Sequence, residues 1–159
     1  MTVSSDYIRE IFKELEQGDG AGFFAHVSED VDWTVMGTHP LAGHYHSKSA
    51  FIAGTFAKLD EVLSEGAQLY LQHVIVKDDE AVVELKSMAT AKNGMRFDNS
   101  YCWIIEFDGE IIVRVRAYLD SALVDRLFRE NPIASVAPAR VSARSAMYHA
   151  ISDDCDGTV

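Results

Sequence analysis

Hydrophobic residues recur at two different spacings along the chain, and the spacing changes from one segment to the next. Three segments place apolar side chains every three or four residues, the spacing that brings them onto one face of a helix. They cover residues 5–17, 20–27 and 47–63. Ser47 suits the start of the third segment, because its hydroxyl can accept a hydrogen bond from a free N–H group of the helix. A further helix is expected from Asp120 to about residue 129, for the same reason.

Other segments alternate apolar and polar residues, which is typical of strands with one buried face. The first covers residues 31–36, and a connection over 37–46 that is rich in helix- and strand-breaking residues separates it from the third helix. The remaining strands are expected at 68–76, 81–91, 96–107 and 110–119. Asn-Gly and Asp-Gly pairs lie between the last three of them and indicate antiparallel hairpins. This order of elements predicts an α+β domain whose helices pack on one face of an antiparallel-rich sheet.

Length, charge and cysteine content narrow the class of protein. The chain has 159 residues, of which 48% are hydrophobic and 25% charged, and this favours one globular domain. Its net charge of −11 argues against nucleic-acid binding, which requires a basic surface. No apolar run approaches the roughly 20 residues that span a bilayer, and the first residues do not resemble a secretory signal, so we expect no membrane association. Cys102 and Cys155 form no paired motif, which favours a reducing, cytoplasmic location.

The hydrophobic pattern is lost near residue 134. We therefore expect a folded domain over 1–133 and a flexible C-terminal tail over 134–159, where Ala, Ser, Pro and Arg mix with a run of acids. A short helix at 141–151 that docks on a neighbouring surface is the alternative interpretation.

Three local strings, together with the order of elements, resemble the nuclear transport factor 2-like superfamily and, within it, the SnoaL-like and ketosteroid isomerase-like domains. The strings are VDWT at 31–34, PLAGHY at 40–45 and RAYLD at 116–120. The resemblance covers residues 5–130 and implies a cone-shaped, barrel-like curved sheet with helices packed on its concave face. It also implies a pocket for a small apolar molecule and a homodimer formed through the convex sheet face, where Arg114 and Arg116 are expected. The fold hosts many unrelated reactions, so the resemblance does not fix the chemistry.

The best-known active sites of this superfamily are missing from the sequence. Ketosteroid isomerases need a carboxylate base, a tyrosine and a protonated aspartate. The resemblance places these groups at Val35, Ile11 and Trp103. Limonene-epoxide hydrolases use an Asp–Arg–Asp array, whose positions fall at Met88, Lys86 and Ala117. Apolar side chains can neither take up a proton nor stabilise an oxyanion, so we expect neither activity.

The remaining polar residues are candidates for cofactor-independent proton transfer. Lys86 could act as a base or hold an enolate if it is buried; the alternative is an ion pair with Glu84 or with an acidic residue of a partner subunit at the pocket rim. Tyr101 could donate a hydrogen bond to a substrate carbonyl, or it could be a core aromatic residue. His39 could serve as an acid or a base. The candidate ligand-binding residues share the expected pocket face and are Trp33, Val35, Met88, Asn99, Trp103 and Ala117.

Three histidines lie within eight residues, at His39, His44 and His46. Their spacing matches no metal-binding motif, and we expect neither a metal nor another cofactor. The leading hypothesis is a protein that binds a small apolar metabolite and catalyses its isomerisation, cyclisation or dehydration. The alternative is a non-catalytic module for small-molecule binding or dimeric assembly, and the sequence leaves open whether the protein is an enzyme at all.

Overall fold

The structure, a computed structural model, describes residues 2–133, and the predicted tail over 134–159 lies outside the described residues. Its helices are α1 (Ser5–Glu16), α2 (Gly20–Phe24), α3 (Lys48–Gly54), α4 (Phe56–Val62) and α5 (Ser121–Glu130). Its strands are β1 (Val27–Val35), β2 (Gly43–Tyr45), β3 (Leu69–Lys77), β4 (Glu80–Ser87), β5 (Ala89–Thr90), β6 (Arg96–Phe97), β7 (Ser100–Asp108) and β8 (Ile111–Leu119). Within the described range, no helix combines the length and the apolar composition that crossing a bilayer requires.

Six strands form one curved sheet in the order β2-β1-β8-β7-β4-β3, and β5 pairs with β6 beside it. Neighbouring strands are antiparallel except β1 and β8, which run parallel. The sheet is open, because β2 and β3 are its two edges. The predicted α+β class and the antiparallel-rich sheet are confirmed.

The inner face of the sheet, on which the helices pack, is the face that carries Trp33, Val83, Trp103 and Val115. α1 contributes four buried apolar side chains to this core, at the three- and four-residue spacing that the sequence predicted. A second, smaller cluster lies beneath α4, α5 and the β5–β6 pair. The opposite face, here called the outer face, carries charged residues such as Asp32 and Arg114, so each central strand has one apolar and one polar side.

The hairpin predictions are confirmed by the backbone. Asn93-Gly94 connects β5 to β6, and Asp108-Gly109 connects β7 to β8. Gly94 has φ of 89° and Gly109 has φ of 61°, values that glycine adopts without a steric penalty. Each glycine therefore allows the chain to reverse tightly enough for the two strands to pair.

The predicted third helix over 47–63 is in fact two helices, because the backbone leaves the helical conformation at Thr55. The preceding residue, Gly54, lies against the ring of Tyr45, and a Cβ atom there would approach that ring to 2.4 Å. The Thr55 hydroxyl donates to the Phe51 carbonyl oxygen at 2.7 Å. The apolar stripe continues across the break at Phe56, so spacing alone does not reveal it.

Several element boundaries also differ from the prediction. α2 ends at Phe24, and β1 begins at Val27 instead of residue 31. The connection over 37–46 contains the short strand β2, which pairs with β1. The strands predicted at 81–91 and 96–107 are each interrupted, so that each gives a long strand of the main sheet and a two-residue strand of the β5–β6 pair.

Lys48 anchors α3 to the start of β1. Its ammonium group donates to the carbonyl oxygens of Phe24 at 3.0 Å and Val27 at 3.1 Å, and it contacts the Glu29 carboxylate at 2.7 Å. The side chain of Lys48 is 17% exposed, whereas that of Glu29 is 80% exposed. The two carbonyl oxygens are thus the buried partners that fix the position of α3 over the inner face.

Candidate functional site

An apolar cavity lies between the inner face of the sheet and the α3–α4 pair. β1, β7 and β8 provide one wall, and Phe51, Thr55, Phe56 and Leu59 provide another. The centre of a water-sized molecule can occupy about 40 Å³ inside it. One water needs about 10–15 Å³ on this measure, so the cavity has room for a few waters.

Aromatic side chains form the wall on the sheet side. The ring of Trp33 stacks on that of Phe51 with centroids 3.8 Å apart and planes 14° apart. Trp103 meets Trp33 edge to face at 5.2 Å, and Tyr101 meets Trp103 at 6.5 Å. Ala117 pairs with both Val35 and Trp103 across the sheet, and its small side chain leaves room between these larger ones. Such offset and edge-to-face contacts hold the rings in fixed orientations.

Few polar atoms reach this cavity. In the part of the chain that the structure describes, its lining includes no carboxylate, imidazole or amine. The Thr55 hydroxyl hydrogen is already donated to Phe51. Burial raises the pKa of Tyr101 to about 12, although the Ser87 hydroxyl acts in the opposite direction. Tyr101 therefore keeps its proton at neutral pH and can act as a hydrogen-bond donor.

The indole N–H of Trp33 is a second donor. Its nitrogen is buried and has no hydrogen-bond partner within residues 2–133. The large majority of buried side-chain polar atoms in proteins have a partner, so this N–H is an exception.

The structure brings together five of the sequence-predicted site residues. Tyr101 and the predicted ligand-binding residues Trp33, Val35, Trp103 and Ala117 all line the cavity. Several lining residues were not predicted, among them Phe51, Thr55 and Leu41. Phe51 and Thr55 are four residues apart and therefore share one helix face, which is the signal that could have identified them.

The prediction that Lys86 and Met88 face the pocket is wrong. Lys86 lies on the outer face, because its neighbours Leu85 and Ser87 occupy the inner positions of β4. There it lines a separate groove with Glu84 and other outer-face residues. Met88 lies between β4 and β5 and is 53% exposed. The resemblance placed Val35, Trp103 and Ala117 correctly, but its position for Lys86 lies on the opposite face of β4, as a one-residue error in register produces.

His39 is buried, but it does not line the cavity. Its Nδ1 accepts a hydrogen bond from the Leu41 N–H at 3.2 Å, so its Nε2 carries the hydrogen that the Met36 carbonyl oxygen accepts at 3.0 Å. Burial lowers the pKa of His39, which favours this neutral form. Both ring nitrogens are occupied by the backbone, so His39 shapes the loop that carries Leu41 into the cavity wall.

Asn99 is fully buried and also lies outside the cavity lining. Its Oδ1 accepts from the Asp120 N–H at 3.0 Å, and its Nδ2 donates to the Asp120 carbonyl oxygen at 3.3 Å. Asp120 in turn caps α5, since its carboxylate accepts from the Leu123 N–H. The predicted ligand-binding role is therefore replaced by a structural one, in which Asn99 fixes the junction between β8 and α5.

The other histidines of the cluster lie near the outer face. His44 hydrogen-bonds Asp32 and lowers the pKa of that carboxyl group. Arg114 connects Asp32 to Glu106, which it contacts at 2.7 Å. Arg116 contacts Glu106 as well, so both arginines lie on the outer face as predicted. Nowhere in residues 2–133 do three or more His, Cys, Asp or Glu side chains come together in an arrangement that could hold a metal ion.

A family model for the SnoaL-like domain matches residues 8–115. The chain belongs to the SnoaL-like family. The SnoaL-like chain is similar to the dimerizing cyclase phiC of a fungal species, with 29% identity over 135 residues, which are 82% of this chain and 59% of the relative. It is also similar to the dimerizing cyclase tstC of Talaromyces stipitatus, with 25% identity over 135 residues, covering 82% of this chain and 60% of that protein. The chain thus spans less than two thirds of the length of these curated relatives.

Solved structures support the fold. An NTF2-like protein from Burkholderia thailandensis superposes with a TM-score of 0.68 at 21% identity, covering 77% of this SnoaL-like chain and 95% of the other. The resemblance to the nuclear transport factor 2-like superfamily is confirmed by this likeness and by the family match.

Proposed function

We propose that this SnoaL-like protein binds a small apolar molecule in the cavity and promotes its cyclisation or isomerisation without a cofactor. The observation that carries the proposal is an apolar cavity in which a protonated Tyr101 is the one titratable side chain among the described lining residues. Similarity to two proteins named dimerizing cyclases favours cyclisation among the possible reactions.

The aromatic wall would contribute by restricting the substrate. A flexible chain held between fixed rings populates conformations in which its reacting atoms are close, and this lowers the entropic part of the barrier. The Tyr101 hydroxyl would donate to a carbonyl oxygen on which negative charge develops. Isomerisation and intramolecular cyclisation conserve the atoms of the substrate, so no external oxidant or reductant is required. Because the described lining has no base, a proton that leaves carbon would pass to another atom of the substrate itself.

The experiment starts from what the purified protein carries. Native mass spectrometry before and after denaturation identifies a co-purifying compound, which is then incubated with the protein and monitored for turnover. Tyr101→Phe should lower kcat about 100-fold, the typical effect of removing one donor from an oxyanion site. Tyr118→Phe is the matched control, since Tyr118 lies on the outer face and is 44% exposed. Unchanged turnover in Tyr101→Phe would contradict the assigned role.

A non-catalytic binding module is the second candidate, and one observation favours it. Among the described lining residues no side chain can accept a proton at neutral pH, so the cavity offers no general base. A compound that binds near one per chain and is recovered unaltered after long incubation would support this second function and count against the first.

We also propose that the protein forms a homodimer through its outer face. Ile75 is 56% exposed, and successive strand pairs place it in one row across the sheet with Val82 and Ile104. This apolar row ends at Arg116 and lies beside the ion pair between Arg114 and Glu106. Native mass spectrometry and light scattering would measure the assembly. Ile75→Asp should shift a dimer to monomer, and a wild-type monomer at high micromolar concentration would refute the proposal.

A further inference from the structure

The cavity is too small, in this conformation, for the use proposed above. About 40 Å³ holds a few waters, and an organic molecule of more than a few heavy atoms needs more space. The sheet wall cannot easily supply that space, because β1, β8 and β7 are central strands that are each hydrogen-bonded to a neighbour on both sides. The additional space therefore has to come from the α3–α4 side.

The two outer ends of the α3–α4 pair are fixed. Lys48 attaches the start of α3 to two backbone carbonyl oxygens, as described above. At the other end, the Lys92 N–H donates to the Val62 carbonyl oxygen at 2.8 Å, and the Ser64 N–H donates to the Thr90 carbonyl oxygen at 2.9 Å. These bonds connect the end of α4 to β5, so motion is easiest between the two ends.

The middle of the pair is held unevenly. On the α3 side, Phe51 is 2% exposed and stacks on Trp33, and Gly54 lies against the ring of Tyr45. These contacts fix α3 to β1 and β2 along its whole length. A displacement that enlarges the cavity therefore falls on the first turn of α4.

This first turn is weakly restrained. Thr55 has φ of −131° and ψ of −81°, and among the described residues its hydroxyl bonds back to Phe51 instead of capping α4. Phe56 is half-buried and meets Phe24 edge to face with centroids 5.4 Å apart. Phe56 and Leu59 both line the cavity. A joint between two fixed segments that can change its φ and ψ is the usual form of a hinge.

We propose that the first turn of α4 is a gate, which moves outward about Thr55 and carries Phe56 and Leu59 away from the sheet to enlarge the cavity. The inference rests on the proposed function, since the gate is the route by which a ligand would enter. It adds the moving element, the joint and the fixed ends. Motions of this kind take microseconds to milliseconds.

Thiol labelling measures the opening of the cavity without a ligand. In a background of Cys102→Ser and Cys155→Ser, one variant carries Ala117→Cys and a matched one carries Ala81→Cys. Both alanines are buried on the inner face, at 2% and 1% exposure, but only Ala117 is among the described residues that line the cavity. Iodoacetamide reacts with each thiol only when the protein opens, and the rate in concentrated urea corrects for intrinsic reactivity.

Ala117→Cys should be labelled at least tenfold faster than Ala81→Cys, because local opening costs less free energy than global unfolding. Dilute urea should accelerate mainly the labelling of Ala81→Cys, since global unfolding exposes more surface. Equal rates with equal urea dependence would overturn the gate.

A second substitution locates the joint. Thr55→Val removes the hydroxyl bond to Phe51 and keeps the side-chain shape, so it should accelerate the labelling of Ala117→Cys about two- to tenfold, as the loss of one neutral hydrogen bond does. Thr34→Val makes the same chemical change in β1, where Thr34 lies beside Arg116 of the outer face, and should leave the rate unchanged. Fast labelling that responds to neither substitution would overturn the assignment of the gate to Thr55.

Amide hydrogen exchange tests the wild type, so the result does not depend on a variant that folds. The Leu59 N–H donates to the Thr55 carbonyl oxygen at 3.0 Å, and the Phe51 N–H donates to the Ser47 carbonyl oxygen at the same distance. Each is the fourth residue after its helix cap, so ordinary fraying affects both. The Leu59 amide should exchange at least tenfold faster than the Phe51 amide, and equal exchange would refute the gate.

The gate and the proposed function fail separately. If the cavity opens as described but no compound binds to the protein, the gate stands and the proposed function is overturned. If a compound binds in the cavity while the Leu59 and Phe51 amides exchange equally, the gate is overturned and the binding function stands.

Discussion

Replacing Asn99 by leucine removes the two hydrogen bonds that connect β7 to the start of α5. Leucine has the same number of side-chain heavy atoms and the same branching at Cγ, so it approximates the shape of asparagine while removing both bonds to the Asp120 backbone. A neutral hydrogen bond contributes about 0.5–1.5 kcal/mol, so two of them give about 1–3 kcal/mol of stability. Asp120 is exposed and water can replace part of the loss, which makes the middle of this range the expected value, about 2 kcal/mol.

Urea unfolding at fixed pH measures this difference, with the m-value as a check that the transition remains two-state. Asn131→Leu is the matched control, because the Asn131 side chain also makes two hydrogen bonds to backbone groups but is only half-buried. We expect Asn131→Leu to lower the free energy of unfolding by less than about 1 kcal/mol, since water can reach the backbone groups that lose their hydrogen-bond partner. A loss in Asn99→Leu no larger than that in Asn131→Leu would refute the structural role of Asn99.

Three further predictions follow from polar and backbone contacts. Lys48→Met should lower the free energy of unfolding, measured in urea, by about 1–3 kcal/mol because it leaves two carbonyl oxygens unpaired. Glu29→Gln should lower it by less than about 0.5 kcal/mol, because Glu29 is exposed. Equal losses in the two variants would show that the carbonyl contacts are not the main contribution of Lys48. Burial lowers the pKa of His39 in the folded protein, so as pH falls below about 6.5 the His39 imidazole is protonated in the unfolded chain before it is protonated in the folded one. The free energy of unfolding of the wild type should therefore fall below about pH 6.5 relative to that of His39→Asn. Parallel stability–pH curves for the two proteins would refute this prediction. Gly37→Ala should destabilise the protein by more than about 2 kcal/mol, since φ is 113° and a Cβ would lie 2.4 Å from the Ser121 hydroxyl oxygen. A Cβ at Gly94 would meet nothing within 4 Å, so Gly94→Ala should cost only the penalty of its positive φ. Thermal melts of the two variants measure the difference.

The residues of β4 show what the sequence could and could not decide. Alternation within this strand placed Leu85 among the apolar residues and Lys86 among the polar ones, which is the arrangement in the structure. The resemblance placed Lys86 in the pocket, and the local pattern was the better guide. In β7, alternation grouped Tyr101 and Trp103 on one face, and the resemblance identified that face as the pocket side, where both residues lie.

Other features depend on contacts between distant segments, which spacing does not report. The break at Thr55 lies beside the contact of Gly54 with Tyr45, and the partners of the His39 nitrogens are backbone groups of its own loop. The unpartnered N–H of Trp33 is likewise a property of the packed core.

The parallel pairing of β1 with β8 has a consequence for how the cavity is made during synthesis. Trp33 of β1 pairs with Val115 of β8, which lies about 80 positions further along the chain. Hairpins such as β3–β4 and β7–β8 can form as soon as they leave the ribosome, but β1 has no neighbour on this side until β8 has been translated. Closing so long a loop is entropically costly and slow. The sheet wall of the cavity is therefore among the last parts of the protein to form. A nascent chain that stops before residue 111 would leave Trp33 and its aromatic neighbours uncovered for chaperones to bind.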